Sequence, residues 1–306
     1  MKETVLITGA SGAIARALSK KLENSYSVRF LTRKKEAENE FEWDLENNIA
    51  DEKAFENVDH IIHLAGANIS EKRWSEDRKT ELIESRVKSA NLILEYLKQQ
   101  NIRLKSFISA SGINYYGTIT SEKIFTENDP SGHDFLSNVV IVWENAADRF
   151  KTENMAERVV KIRTAVVLSR NDGALSKMMV PIQLGLGSPI GSGRQYMPWI
   201  HINDICGIYE FALKNTAIEG AFNASAPQHA TNKTFTKTIA EVLKKPLFMP
   251  NVPGFMLKLI FGELSSVLLE GSRASSEKVQ KAGYEFKFPD LKKALEDLLN
   301  KQKHEK

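Results

Sequence analysis

Thr8-Gly9-Ala10-Ser11-Gly12-Ala13-Ile14-Ala15 is the segment richest in chemistry. A phosphate approaching a helix N-terminus needs backbone N–H groups unobstructed by Cβ atoms, and it gains from the positive end of the helix dipole. Gly9 allows the tight turn, and Gly12 allows the backbone to approach a pyrophosphate. Ala15 stands where a third glycine often permits close helix–strand packing. The compact run Thr4-Val5-Leu6-Ile7-Thr8 precedes the loop, and Ile14, Leu18 and Leu22 follow at four-residue spacing, so it joins a strand to a helix. In that context Gly9, Ser11, Gly12, Ala13 and Ile14 read as a dinucleotide-binding loop. Arg33 lies twenty-one positions after Gly12, Lys34 and Lys35 follow it, and Leu31-Thr32-Arg33 contains no carboxylate. An acidic residue there would bind the ribose 2′-hydroxyl of NAD, whereas a guanidinium suits a 2′-phosphate. The expected cofactor is NADP(H), with NAD(H) second.

Other groups could act around such a loop. Arg73 and Trp74 follow a glycine-containing strand end, where open α/β sheets place ligands. Arg86 is a charge among apolar neighbours Ile83, Val87 and Ala90. It reads as a ligand for cofactor phosphate or substrate carboxylate, or as a snorkelling surface arginine. His201 is a candidate proton carrier, because only histidine titrates near neutrality unperturbed. Ile200-His201-Ile202-Asn203-Asp204 equally reads as a strand followed by a helix cap at Asp204. Trp143 and Glu144 read as helix packing beside a solvated or paired carboxylate. His60 and His63 are three apart on one strand and face opposite ways, so no metal site is expected from them.

These residues need a frame. Val28-Arg29-Phe30-Leu31, residues 60–65, Phe107-Ile108-Ser109-Ala110 and residues 159–168 read as further strands. Ile83, Val87, Ala90, Leu94 and Leu97 mark a long amphipathic helix between them. Strands alternating with helices imply parallel βαβ units. The expected fold is therefore α/β, a doubly wound parallel Rossmann sheet with a smaller C-terminal α/β lobe. The Rossmann domain is expected over 1–170 and 199–220, with residues 199–214 returning to the sheet. The substrate-side lobe is expected over 171–198 and 221–300, before a charged end at 301–306.

Composition sets the bounds. The chain has 306 residues, 42 Lys+Arg against 39 Asp+Glu, a net charge of +3, and 42% hydrophobic residues, values of an ordinary globular protein. A balance so near neutral does not point to nucleic acid. No apolar run is long enough to span a bilayer, and no signal peptide is expected, because Gly9, Ser11, Gly12 and Arg16 interrupt the first apolar stretch. One cysteine, Cys206, excludes an intrachain disulfide and a multi-cysteine metal site. The expectation is a cytoplasmic monomer or homodimer acting on a small molecule, with no nucleic acid, membrane or metal.

Thr8-Gly9-x-x-Gly12, His63-Leu64-Ala65-Gly66, Ser111…Tyr116-Gly117 and Trp199-Ile200-His201-Ile202-x-Asp204 together resemble an extended short-chain dehydrogenase/reductase. Arg73-Trp74, Ser85-Arg86, Trp143-Glu144, residues 191–195 and Gly271-Ser272-Arg273 resemble its atypical subgroup known as epimerase family proteins. The likeness runs from Val5 to about Leu299, and residues 246–299 resemble a small domain of no assigned function. It implies that Leu64, Ala65 and Gly66 also line the cofactor, and that Ser111 orients a substrate carbonyl or hydroxyl. It also implies a Tyr–Lys pair one helical turn apart, in which lysine lowers the tyrosine's pKa. None of the seven tyrosines has a lysine four residues later, and the matching positions hold Leu136 and Val140. Tyr116 and His201 remain as proton donors, Tyr116 reading equally as a pocket-wall aromatic and Ser111 as a strand-end serine bonding backbone. The position of the diphosphate-clamping arginine of sugar-nucleotide enzymes holds Met197, with Arg194 displaced by three, which disfavours a nucleotide-sugar epimerase. Arg73, Trp74, Arg194, Met197 and Trp199 are expected to line the substrate. The resemblance implies an oxidoreductase. The loss of the pair leaves open a nucleotide-binding sensor without catalysis.

Overall fold

The computed structural model describes residues 2–300; the charged end at 301–306 lies outside them. In chain order the strands are β1 (Thr4–Thr8), β2 (Ser27–Thr32), β3 (Glu40–Asp44), β4 (Ile49–Ala50), β5 (His60–His63), β6 (Ser106–Gly112), β7 (Ile124–Phe125), β8 (Val159–Thr164), β9 (Val166–Leu168), β10 (Trp199–His201), β11 (Gly220–Ala224) and β12 (Arg273–Ala274). The helices are α1 (Ala13–Leu22), α2 (Glu76–Gln99), α3 (Phe135–Thr152), α4 (Gly173–Gln183), α5 (Ile202–Lys214), α6 (Asn232–Val242), α7 (Gly254–Phe261), α8 (Ser265–Leu269), α9 (Glu277–Lys281) and α10 (Leu291–Asn300).

One eight-stranded sheet runs β11-β8-β6-β5-β1-β2-β3-β4. Pairings of β1 with β2 and β5, of β2 with β3, and of β5 with β6 are parallel, and the short β4 is antiparallel to β3. β1 is buried along its whole length, as a strand covered on both faces must be. The apolar stripe of α2 supplies Ile93, Leu94 and Leu97 to the core beneath the sheet, against Leu6, Ile61 and Phe107. From β1 the chain moves out through β2 to β4, then returns to β5 on the other side. The strand order therefore reverses between β1 and β5, where open α/β sheets bind ligands at their carboxyl ends.

The chain divides into two units, residues 1–115, 138–163 and 206–222 in the first, and 116–137, 164–205 and 223–306 in the second. This differs from the sequence-based division at 116–137, 164–170, 199–205 and 221–222. The physical reason lies at Ala165. The β-rich run 159–168 breaks there, and β9 pairs in parallel with β10 as a separate two-stranded sheet. Residues 199–201 therefore do not return to the main sheet; β11 supplies its last strand instead. The second unit packs Leu168, Trp199, Phe235, Ile239, Leu291 and Leu295 into its own core. Among the described residues no helix is long and apolar enough to cross a membrane.

Candidate functional site

In the first unit two loops meet at the reversal point. Gly9 has φ 77°, and a Cβ there would stand 3.0 Å from the Leu64 carbonyl oxygen and 3.1 Å from the Ala65 nitrogen. Glycine is needed at this position both for its left-handed backbone and for the approach of the second loop. Gly12 caps α1 without a side chain, and the first turn of α1 carries no acidic residue. The helix N-terminus thus keeps the positive field that an anion requires.

Thr8 and His63 tie the two loops together. Thr8 Oγ1 accepts hydrogen bonds from the Leu64 and Ala65 amides, each at 3.1 Å, and lies 3.0 Å from His63 Nδ1. With both amides donating to it, the hydroxyl directs its one proton to Nδ1. Nε2 then carries the ring hydrogen and donates to Ser89 Oγ at 3.2 Å, whose own proton goes to Ser85 O. Burial pushes the His63 pKa down to about 4, so the ring is neutral at pH 7.

The next part of the loop is held by Ser85 and Arg86. Ser85 Oγ accepts from the Ala67 amide at 3.0 Å, and Arg86 donates to the Ala67 carbonyl at 3.0 Å and to the Leu82 carbonyl at 2.7 Å. Arg86 is buried beneath Gly66, whose added Cβ would lie 3.0 Å from the Arg86 guanidinium carbon, and beside the Trp143 ring at 4.8 Å. Its Nε has no partner, and burial pushes its pKa down to about 10, with Arg78 adding repulsion. A surface-snorkelling role is excluded: Arg86 is a buried cation braced by carbonyls. Arg78, equally buried, donates to the Asn68 carbonyl, Glu71 and Glu81. Arg73 is exposed on the segment so pinned, and the Trp74 indole donates to Ile69 O at 3.0 Å. Arg33 is exposed at the end of β2.

Ser111 ends β6 in a buried polar cluster. Its hydroxyl donates to Glu144 Oε1 at 2.6 Å. Arg163 clamps the same carboxylate, Nε to Oε1 at 2.7 Å and a second nitrogen to Oε2 at 2.9 Å, while its guanidinium stacks 3.4 Å from the Tyr115 ring. Lys161 stands 3.9 Å from Glu144 Oε2. A carboxylate that takes the serine's proton leaves the serine lone pairs free to accept from a hydroxyl. The sequence left Glu144 as a solvated or paired carboxylate beside Trp143; it is paired, and its bond to Ser111 was not foreseen. The available signal was its spacing, one turn beyond Val140 and two beyond Leu136 on α3, the face where the Tyr–Lys pair is absent.

The second unit holds the other candidates, and here three expectations are corrected. The Tyr116 hydroxyl donates to Asn223 Oδ1 at 2.8 Å, and its ring stacks on Phe125 at 5.0 Å. With the phenol proton committed and the side chain buried, Tyr116 acts as a core residue. His201 is fully buried, stacks on Phe288 at 3.9 Å, accepts the Asn203 amide at Nδ1 and points Nε2 toward Asp297 at 3.4 Å. That is a backbone-capping histidine and not an exposed proton carrier. Trp199 is fully buried with its indole N–H on Gln228 O, so it packs the core and does not line a substrate. Met197 is half-buried against the same core. Arg194 is exposed. Asp204 accepts from the amides of Lys287 and Phe288 and from the Tyr284 hydroxyl, so the motif 199–204 anchors the chain's last segment. Glu270 and Arg273 bond Thr120 and Glu122. Cys206, in the first unit, is buried and its thiol is pushed up to about 12 by burial, which makes it a packing residue and not a nucleophile. Among the described residues no cluster of His, Cys, Asp and Glu could hold a metal.

Comparison with known proteins adds the following. Residues 5–225 match the NAD dependent epimerase/dehydratase family, and residues 252–298 match a domain of unknown function, DUF1731. Mouse epimerase family protein SDR39U1 is 35% identical over 301 residues, covering 96% of this chain and 99% of the relative. The crystal structure of human epimerase family protein SDR39U1 with NADPH superposes with a TM-score of 0.85 at 32% identity, covering 97% of this chain and 99% of that one. A nucleoside-diphosphate sugar epimerase from Corynebacterium glutamicum superposes with a TM-score of 0.80 at 28% identity, covering 98% of this chain but 58% of that one.

Proposed function

We propose that this chain, which belongs to the NAD dependent epimerase/dehydratase family, is an NADP(H)-dependent oxidoreductase of the atypical extended short-chain dehydrogenase/reductase type, acting on a small carbonyl or hydroxyl compound. The observation that carries this reading is the pair of loops at the β1/β5 reversal, together with NADPH in the human relative that matches this fold along 97% of the chain. The residues present fit the group. Gly9 and the uncapped N-terminus of α1 accommodate the pyrophosphate, Leu64 to Gly66 form the opposing wall, and exposed Arg33 meets the 2′-phosphate. Arg86 and Ser85 hold that wall by its Ala67 peptide, so their role is positioning.

NADPH, when bound, supplies hydride chemistry. Ser111 and Glu144 supply the protein's part. Ser111 Oγ, its proton engaged by Glu144, accepts from a substrate hydroxyl, and the couple relays the proton to the carboxylate. In the reductive direction the same path runs backward, from a protonated Glu144 through Ser111 to the carbonyl oxygen. Arg163 keeps the carboxylate aimed at the serine. This replaces the missing Tyr–Lys pair with a serine–carboxylate relay.

The test is NADPH oxidation with a panel of aldehydes and ketones, followed by nicotinamide absorbance. Ser111→Ala and Glu144→Gln should each lower the rate at least tenfold while NADPH affinity stays within about twofold, the signature of lost proton transfer. A second reading is favoured by the burial of Tyr116 and His201, which leaves neither side chain free as a donor. On that reading the protein binds the dinucleotide without chemistry. Tight NADPH binding with no oxidation by any member of the panel would select it.

A further inference from the structure

The second unit carries a surface that runs against the usual pattern of a globular protein. On α7, Phe255, Met256, Leu259 and Ile260 point outward, Phe255 and Leu259 being 71% and 77% exposed, while Leu257 alone turns to the core. Residues 187–191 lie alongside 247–252, and a Cβ on Gly187 would fall 3.0 Å from the Leu247 side chain. The Val252 amide donates to Pro189 O, Gly191 N donates to Val252 O, and Ser188 Oγ donates to Pro250 O. That pairing brings exposed Leu184 and Leu186 to the segment of exposed Phe248 and Met249, immediately before α7. Several large apolar side chains exposed together mark an interaction surface.

Charge decides the partner. Residues 173–200 and 242–262 contain no Asp or Glu, yet they hold Lys177, Arg194, Lys244, Lys245 and Lys258. All five are exposed, and none forms an ion pair with a described residue. The chain as a whole carries only +3, so this face concentrates positive charge without internal compensation. A second copy seated by two-fold symmetry would set this patch against itself, cation against cation, with no carboxylate to answer. An anionic lipid surface answers both features. Phe, Leu and Met enter the headgroup boundary, and lysines at the same level meet acidic headgroups.

We propose that this face, formed by α7 with residues 177–186, 194 and 244–249, docks on the surface of an anionic bilayer. The chain would lie on the membrane and not span it, which is compatible with the absence of a spanning helix among the described residues. The proposal is independent of the cofactor reading.

The test is co-sedimentation of the full chain with vesicles of phosphatidylcholine alone and of three parts phosphatidylcholine to one part phosphatidylserine. Binding should favour the mixed vesicles about tenfold or more and weaken as salt is raised. Phe255→Asp with Leu259→Asp should abolish it, and Lys244→Glu with Lys245→Glu should lower it about tenfold. Because these side chains are exposed, the thermal melts of both variants should match the wild type; should the first variant melt early, the lysine pair carries the test alone. No binding to either vesicle, or equal binding to both, would overturn the proposal. So would self-association of the wild type that is lost in the Phe255→Asp/Leu259→Asp variant without vesicle binding, an outcome that assigns the face to a second copy.

Discussion

A guanidinium at the end of β2 is the group proposed to choose between the two adenosines. Arg33 is exposed and forms no ion pair with a described residue, so no described residue neutralises it before a ligand does. Charge-assisted hydrogen bonds to a phosphate are worth about 1.5–3 kcal/mol. Arg33→Ala should therefore weaken NADPH about tenfold to a hundredfold and leave NADH within about twofold, as read by fluorescence titration. Equal losses for both cofactors would remove Arg33 from the site. The proposal could be made from sequence because it needs only a count of positions from Gly12, through α1, to the end of β2. Glu144 was legible only as a solvated or paired carboxylate. Its partners, Ser111 and Arg163, come from two other strands, and a lone carboxylate on a helix reads equally well as solvated. Tyr116 and His201 misled for the converse reason. Residue type announces what a side chain can do, but Asn223 and Phe288, distant in sequence, had already occupied them.

At the scale of elements, glycines show where backbones must cross. Gly271 begins the segment leading into β12, and an added Cβ would fall 1.8 Å from the Tyr196 carbonyl oxygen, a backbone atom that cannot swing aside. Gly185 has φ 74° but open space around it. The two substitutions by alanine should differ accordingly. Gly271→Ala requires two backbone segments to separate and should cost about 1–3 kcal/mol or more, whereas Gly185→Ala pays only the left-handed penalty of about 1–2 kcal/mol. Urea unfolding followed at Trp199, the tryptophan of the second unit's core, measures both; equal losses would mean that Gly271 is not held against residue 196. β1, β2, β5 and β6, with α1 and α2 between them, were readable from period and residue type, whereas β3 and β4, short and only partly buried, were not. The departure of β9 and β10 from the main sheet was not. Residues 159–168 form one run rich in β-branched side chains, and its division at Ala165 comes from the pairing of 166–168 with the distant residues 199–201.

For the whole molecule, the contrast between overall and local charge extends to pH. The near-neutral total says little about acid stability, because that depends on groups whose protonation differs between folded and unfolded chains. His63 is the clearest such group in the first unit. Folded, it is buried, neutral and titrates at about 4; unfolded, it titrates near 6.5. Its folded pKa is the lower, so its contribution is complete above about pH 6.5. As the pH falls, the unfolded chain gains the proton first, and stability drains away until about pH 4. Over that window the loss amounts to about 3 kcal/mol. Asp129, lowered to about 2 by hydrogen bonds from Lys123 and Thr126, acts only below about pH 4, so the two contributions are separable. Urea unfolding between pH 7 and pH 4 should show a stability decline that His63→Asn reduces, the remainder coming from His60 and His229, whose pKa values burial also lowers, although the variant starts less stable for losing the bond to Thr8. Because His63 joins the β1 and β5 loops through Thr8, NADPH should resist the decline by favouring the folded state, on the reading that those loops hold it. An undiminished pH slope in His63→Asn would mean that the acid sensitivity arises elsewhere in the chain.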